Sequence, residues 1–345
     1  MHYLITGHTG FKGSWLSLLL LQRGHRVSGL SLDPLPGALF ERARLGELLE
    51  HDLRVDIRDA AATAQAIASI APDAVIHMAA QPLVRESYRS PRATFETNVM
   101  GTLNVIEGVQ RTGSVRAHVV VTTDKVYRNV NQAAGYREMD PLGGDDPYSS
   151  SKAMADILTQ SWVRSFPGVP TALARAGNVI GGGDVSPDRL LPDLLASFAI
   201  GRTPLLRYPQ AIRPWQHVLD CLNGYLTLAD ALLVGGGRGE WNFGPGRQCF
   251  VDVAHLADLV AEFWGDGAGW TTDVGDHPHE ATLLALDASK AERELGWHNR
   301  LSVRDSVAWT VSWEKDMRMG KDPRDITLAQ IAAFEKAGWR ISPAR

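Results

Sequence analysis

"YLITGHTGFKGSWL", residues 3–16, sets three glycines, Gly7, Gly10 and Gly13, between a short apolar run and the first turn of an amphipathic segment. An apolar run of this length bounded by glycine reads as a buried strand, and the segment after it as a helix. Glycines at such a junction let the backbone turn sharply and approach a pyrophosphate, which then meets the positive N-terminal end of the helix. The spacing is G-x-x-G-x-x-G, not G-x-G-x-x-G, and it lacks the Lys-Ser/Thr ending of a P-loop, so nucleoside triphosphate hydrolysis is a poor reading. A glycine triplet alone also suits a plain tight turn, and the rest of the chain has to decide.

Outward from this junction, apolar runs recur at 26–32, 74–79, 117–122 and 171–175, with amphipathic segments at 11–23, 92–112 and 149–165 between them. Such β-α-β alternation predicts an α/β fold, a Rossmann-type doubly wound parallel sheet covered by helices on both faces. From about residue 178 the regularity fades. "RPWQHV" (213–218) and "WNFGP" (241–245) read as loop or edge segments, and 288–297 as a helix ending at Gly296. The expected organisation is a nucleotide-binding domain over 1–177, also receiving 210–245. A smaller mixed α/β region over 178–345 would bind substrate.

The 345 residues, 44% of them hydrophobic, suffice for one large domain or two joined ones. A net charge of −4 argues against nucleic acid or a polybasic membrane contact, leaving small molecules as the expected partners. Cys221 and Cys249 are too few for a disulfide framework and have no metal-ligand spacing. With no signal-peptide pattern and no apolar stretch of membrane-spanning length, a cytoplasmic enzyme is expected.

Asp33 follows Gly13 by twenty residues, at the end of the second apolar run, where a carboxylate accepts hydrogen bonds from ribose hydroxyls and repels a 2′-phosphate. NAD is therefore expected over NADP, unless Arg42 or Arg44 folds back to take the phosphate. "VDIRD" (55–59) offers Asp56 and Ile57 as an adenine edge, although Asp56 equally suits a solvated loop. In "PYSSSK", Tyr148 and Lys152 lie four apart and share a helix face. A phenol of pKa about 10 needs about 4 kcal/mol of differential interaction to ionise at neutral pH. A neighbouring ammonium could supply part of that. At 119–127, "VVVTTDKVY" runs from a core strand straight into Thr123, Asp124 and Lys125, a hydroxyl, an acid and an amine where open α/β sheets bind ligands.

These stretches, with "HMAAQPLVRESY", "NVMGT", "GYRE", "RAGNVIGGGD", "DHPHEA" and "LDASKAERELGW", resemble the extended short-chain dehydrogenase/reductases over nearly the whole chain. Within them, Lys125 after Asp124, "GNVIGGGD" and "RPWQHV" resemble the nucleotide-sugar 4,6-dehydratases of the CDP-glucose branch. The resemblance implies NAD as cofactor, held by Gly7, Thr9, Gly10, Phe11, Gly13, Asp33, Asp56, Ile57, Ala79, Ala80, Asn98, Tyr148 and Lys152. It implies an internal redox dehydration in which Tyr148 takes the proton of the sugar 4-hydroxyl while hydride moves from C4 to NAD, with Thr123 bonded to the same oxygen. Asp124, kept protonated, would then donate to the departing 6-hydroxyl, and hydride would return to C6. Related dehydratases carry a glutamate base where this chain has Lys125, which would either remove the C5 proton as a neutral amine or stabilise the enolate as a cation. A surface salt bridge from Lys125 to Glu138 or Asp140 is the bland alternative.

Substrate contacts implied by the resemblance are Asn178, Arg189, Arg213 and His217, the guanidiniums suiting a diphosphate. His217, His277 and His279 are read as structural histidines, and no metal is expected. Gln132 and Val185 depart from the family, where tryptophan is common. A homodimer, or a dimer of dimers, through 92–112 and 149–165 is expected. A 4-epimerase or decarboxylase would share the glycine turn and the Tyr/Lys pair without needing Asp124, and an NAD-sensing binding protein would need neither the Tyr/Lys pair nor Asp124.

Overall fold

A computed structural model describes residues 1–132, 134–273, 275 and 284–336. Seven strands form one sheet: β1 (His2–Thr6), β2 (Arg26–Ser31), β3 (His51–Arg54), β4 (Ala74–His77), β5 (Ala117–Val121), β6 (Thr171–Ala176) and, much later, Gly239–Phe243. Their order is Gly239–Phe243, β6, β5, β4, β1, β2, β3, and every pairing is parallel. β1, β4, β5 and β6 are buried along their whole length, as parallel strands flanked by helices must be, so they read as unbroken apolar runs. The first helix, Phe11–Gln22, is apolar nearly all round because it lies between the sheet and other helices; Trp15, Leu16, Leu18, Leu19 and Leu20 all belong to the main core.

Two strands lie at the edges of this sheet. β3, "HDLR", is an edge strand with no fully buried residue. Gly239–Phe243 was expected as loop or edge and is the opposite edge of the sheet, in register with β6 from Gly239 against Ala172 to Phe243 against Ala176. Between these lie β7 (Asn178–Ile180), β8 (Leu205–Leu206) and β9 (Ile212–His217), with Gly239–Phe243 thus β10, followed by β11 (Phe250–Asp252) and β12 (Thr271–Thr272). β9, read from the sequence as loop or edge, is the central strand of a three-stranded mixed sheet, parallel to β7 and antiparallel to β11. Helices Leu190–Ala199, Val253–Trp264 and Val303–Arg318 close a second core around Leu194, Phe198, Trp215, Leu256, Val260 and Val307.

The helix expected over 288–297 is Ser289–Leu295 and stops at Gly296, whose φ of +65° suits glycine. The helix carrying Tyr148 and Lys152 is Pro147–Ser165. Asp146 caps it, accepting from the Ser149 N–H at 2.9 Å, and Pro147 occupies its first turn. The segment 92–112 is helical but contains a π turn at Glu96–Met100. Asn98 in that turn donates to the Gln81 carbonyl at 3.0 Å and to the Ser151 hydroxyl at 2.9 Å, tying the helix to the loop after β4 and to the Tyr148 helix.

Arg175 on β6 is wholly buried and meets Asp156 of the Tyr148 helix, also wholly buried, through two bonds, Nε at 2.8 Å and Nη2 at 2.7 Å. It also donates to the Tyr127 hydroxyl and the Glu138 carbonyl, while Asp156 accepts from Thr122 at 3.0 Å. Removing one partner leaves a buried, unmatched charge. Arg175→Met should therefore lower unfolding stability by about 3–5 kcal/mol, and the double change Arg175→Met/Asp156→Leu should recover most of that loss. Urea denaturation of the three proteins checks it.

Candidate active site

The glycine turn is built for close approach. Gly7 has φ +79°, and a Cβ there would lie 2.9 Å from the Ala79 nitrogen; at Gly13 it would lie 2.2 Å from the Gly7 carbonyl oxygen. Gly10 begins the first helix, and no side chain caps that end, so its free N–H groups are open to an anion. These features fit a dinucleotide pyrophosphate. Thr9 faces inward and binds Ser31 at 2.8 Å and the Leu32 carbonyl at 3.1 Å, locking the turn to the end of β2. The Ala79 N–H is bonded to Thr6 at 3.1 Å, Ala80 follows it on the loop after β4, and Phe11 packs on the main core.

Asp33 stands at the end of β2, 89% exposed, with Arg54 Nε at 3.2 Å. Arg54 is held in turn by Asp52, which also meets His8 at 2.7 Å. Arg42 and Arg44 turn away from this position: Arg42 donates to the Met317 sulfur at 3.4 Å and Arg44 to Asp322 at 2.5 Å. Asp56 pairs with Arg58 and lines a cleft of about 460 Å³ with Asp59, Glu96 and Met100. Ile57 beside it is buried in a core and its carbonyl is taken by Asn104 at 2.8 Å.

Beyond β5 the backbone enters a 3₁₀ turn, Asp124–Val126, whose start is capped by Thr123. This irregularity brings adjacent side chains to one crevice. Asp124 is buried and accepts from the Thr123 hydroxyl at 2.9 Å. Tyr148 feels both: a hydrogen bond with Thr123 and the Asp124 charge act on its ionisation in opposite senses. Burial is the largest influence and raises the Tyr148 pKa, with the Arg189 guanidinium opposing it most strongly. Lys152 is not among the groups that act most on this phenol. Lys152 gives its Nζ to the Val121 carbonyl at 2.9 Å, and burial lowers its own pKa to about 8.

Lys125 is half-buried beside Asp124 and, among the described residues, its amine meets neither Glu138 nor Asp140. Those carboxylates are occupied: Glu138 accepts from the Asn242 N–H, and Asp140 from Gln132 and Arg137. The surface salt bridge is thus not formed. Asn178 opens β7, Arg189 directly precedes the helix Leu190–Ala199, and Arg213 lies on β9, so all three belong to the smaller sheet and its helices.

His217 is a correction. It is wholly buried between Trp15 and Trp309, accepts from the Leu219 N–H at 3.3 Å as a helix cap, and has a pKa lowered to about 3 by burial, so it cannot touch a substrate. His277 and His279 lie outside the described residues. Among the described residues no three His, Cys, Asp or Glu side chains gather as a metal site would require, and no helix is long and apolar enough to cross a membrane.

Sequence reasoning missed Lys12. Inside the glycine turn, its Nζ donates to the buried Tyr225 hydroxyl at 3.2 Å, and its charge opposes that of Lys152. The signal was present, a cation within the motif "GFKGS", but periodicity treats that position as one more helix residue. Gly177 was also missed; a Cβ there would lie 2.9 Å from Asp124 Oδ2.

A parallel sheet with an anion-binding glycine turn and a buried Tyr/Lys pair at its carboxyl edge defines a dinucleotide-dependent enzyme working on an alcohol or its ketone. The chain belongs to the NAD dependent epimerase/dehydratase family, whose model matches residues 3–244. It is 44% identical to a CDP-glucose 4,6-dehydratase of Salmonella typhimurium, over 97% of this chain and 96% of that one. It is 30% identical to a dTDP-glucose 4,6-dehydratase of Xanthomonas campestris, covering 90% and 92%. Among solved structures, dTDP-glucose 4,6-dehydratase from Streptomyces venezuelae with NAD bound superposes with a TM-score of 0.80 at 28% identity, covering 94% and 100%. UDP-glucose 4-epimerase from Thermotoga maritima shares the fold, with a TM-score of 0.82 at 22% identity, covering 92% and 100%.

Lys152 yields a prediction with a defined sign. With a folded pKa of about 8 against 10.5, the folded state binds fewer protons than the unfolded state between these values. Stability must then rise with pH through that window, by up to about 3 kcal/mol. In nucleotide-free protein, thermal unfolding from pH 7 upward should show this rise, and Lys152→Met should flatten it.

Proposed function

We propose that the protein is a CDP-glucose 4,6-dehydratase, a hydro-lyase that converts CDP-D-glucose to CDP-4-dehydro-6-deoxy-D-glucose and water. The observation carrying this reading is Asp124: an acid buried in the same crevice as Tyr148 and bonded to Thr123, a group that epimerisation does not need. The similarity to the Salmonella enzyme supports the choice of CDP-glucose.

NAD, when bound, supplies an acceptor that takes hydride from the sugar C4 and gives it back at C6, together with a positive ring charge beside the crevice. Gly7, Gly10 and Gly13 would hold its pyrophosphate, Asp33 its ribose hydroxyls, and Asp56 its adenine. Tyr148 takes the proton of the 4-hydroxyl, its ionisation favoured by Arg189 and by the Thr123 hydrogen bond. Lys152, fixed on the Val121 carbonyl, orients the helix face that carries Tyr148. A ketone at C4 then acidifies the C5 hydrogen. Lys125 removes that proton, Asp124 gives its own to the 6-hydroxyl, the C6–O bond breaks and water leaves, forming the C5–C6 double bond; Lys125 then returns its proton to C5 as C6 takes up the hydride, and the proton gained by Tyr148 restores that of Asp124. Asn178, Arg189 and Arg213 hold the sugar nucleotide from the smaller sheet, the two guanidiniums meeting its diphosphate. The parallel sheet, with β10 returned to it, thus serves the cofactor, and residues 178–345 mainly serve the substrate.

We place the enzyme in the cytoplasm, where its two buried free cysteines, Cys221 and Cys249, stay reduced. We also assign a homodimer whose seam runs along Met100, Met154 and Ile157, apolar residues left exposed on the π turn Glu96–Met100 and on the helix Pro147–Ser165. Light scattering should give the mass of two chains or a multiple, and Ile157→Asp that of one.

Incubation with CDP-, dTDP-, GDP- and UDP-hexoses should show loss of one water by mass spectrometry with CDP-glucose foremost. Deuterium at C4 should reappear in the C6 methyl. Lys125→Arg keeps a cation that accepts no proton, so it should lose turnover as fully as Lys125→Met, by roughly 10²-fold or more; an active Lys125→Arg would make Lys125 an enolate stabiliser instead.

A further inference from the structure

Gly177 joins β6 to β7 and lies between the catalytic crevice and β9. A Cβ built on it would meet Asp124 Oδ2 at 2.9 Å, the Asp124 carboxyl carbon at 3.5 Å and Pro214 Cγ at 3.6 Å. Its backbone is not among the left-handed glycines, so conformation alone permits alanine. The one tight contact is with the end of a side chain, and a side-chain end can move aside where backbone cannot. Other glycines here differ in kind: a Cβ at Gly13 would run into backbone at 2.2 Å, and at Gly182 into the Trp313 ring at 2.1 Å, both of which the fold itself forbids.

We propose that Gly177 is a positioning residue for the acid of the elimination step: its missing methyl is the space that holds the Asp124 carboxyl against Thr123. With alanine there, Asp124 turns away from the 2.9 Å bond with the Thr123 hydroxyl. The chain still folds. Proton delivery to the 6-hydroxyl is lost, while Tyr148, which takes its proton from a different oxygen, keeps its hydrogen bond with Thr123 and loses only a charge that opposed its ionisation. Gly177 thus acts on the second half of the reaction alone. This inference rests on the assignment of Asp124 as the acid.

The test compares Gly177→Ala, Asp124→Asn, Asp124→Ala and the double Asp124→Ala/Gly177→Ala in the full-length enzyme. Gly177→Ala should keep the thermal midpoint and the KM for CDP-glucose and lose kcat by roughly 10²-fold, the effect of an ångström-scale misplacement. Rapid quench should reveal a 4-keto nucleotide that retains its 6-hydroxyl in both Gly177→Ala and Asp124→Asn. On the Asp124→Ala background, Gly177→Ala should change neither midpoint nor kcat. Full turnover in Gly177→Ala, with Asp124→Asn impaired, overturns the inference and spares the assignment of Asp124; full turnover in Asp124→Asn overturns the assignment. A lowered midpoint in both Gly177→Ala proteins, with or without Asp124, also overturns it, since the conflict would then lie with the fold.

Discussion

A guanidinium cannot be left inside a protein without an opposing charge, and Arg175 has no route to solvent. Its match, Asp156, sits on a different element, so forming the pair fixes β6 and the Tyr148 helix relative to one another. Thr122 at the end of β5 adds a third element by bonding the same carboxylate. Tyr127 adds a fourth and a fifth. It accepts from Arg175, donates to Asn242 of β10 at 2.8 Å, and stacks on Tyr136 with ring centroids 5.2 Å apart. The turn that carries Thr123, Asp124 and Lys125 is therefore flanked, at Thr122 and Tyr127, by residues bound into one buried network. Three reactive groups stay in place on an irregular backbone because the residues on either side cannot move.

The crevice itself is electrostatically unsettled. Burial opposes the ionisation of Tyr148 and of Lys152 alike, and Lys12 adds repulsion to Lys152. Groups whose ionisation is opposed by burial respond strongly to an arriving charge, which suits a site that takes a charged cofactor and a diphosphate. The stiffness of the surrounding network keeps that sensitivity from being relieved by structural relaxation.

Much of this was legible in the residues. Four strands buried on both faces appear as unbroken apolar runs, and the glycine turn, the Tyr148/Lys152 pair and "TTDKVY" together mark the carboxyl edge of the sheet, although the glycines alone also suit a plain tight turn. What failed to show has a common cause. β3 and β10 lie at the two edges of the sheet, where polar residues are tolerated, so neither gives a run. Arg175 and Asp156, nineteen positions apart, meet only because of tertiary packing. The direction of the Tyr148 shift depends on how deeply the phenol is buried, which no spacing encodes, and the two tryptophans around His217 fit its reading as a structural histidine, not the substrate contact that the resemblance implied.

The late arrival of β10 has a consequence for synthesis. Until residue 243 has left the ribosome, β6 has one edge without a partner strand, and the Tyr127 hydroxyl lacks its Asn242 acceptor. Everything between the two strands, including β9 and the helix Val218–Leu233, must first be made and laid down. A nascent chain thus carries an adhesive margin for a large part of its elongation. Completion of the seven-stranded sheet is postponed until β7, β9 and the helices Leu190–Ala199 and Val218–Leu233 exist, so a half-made molecule gains neither a finished crevice nor a sealed border.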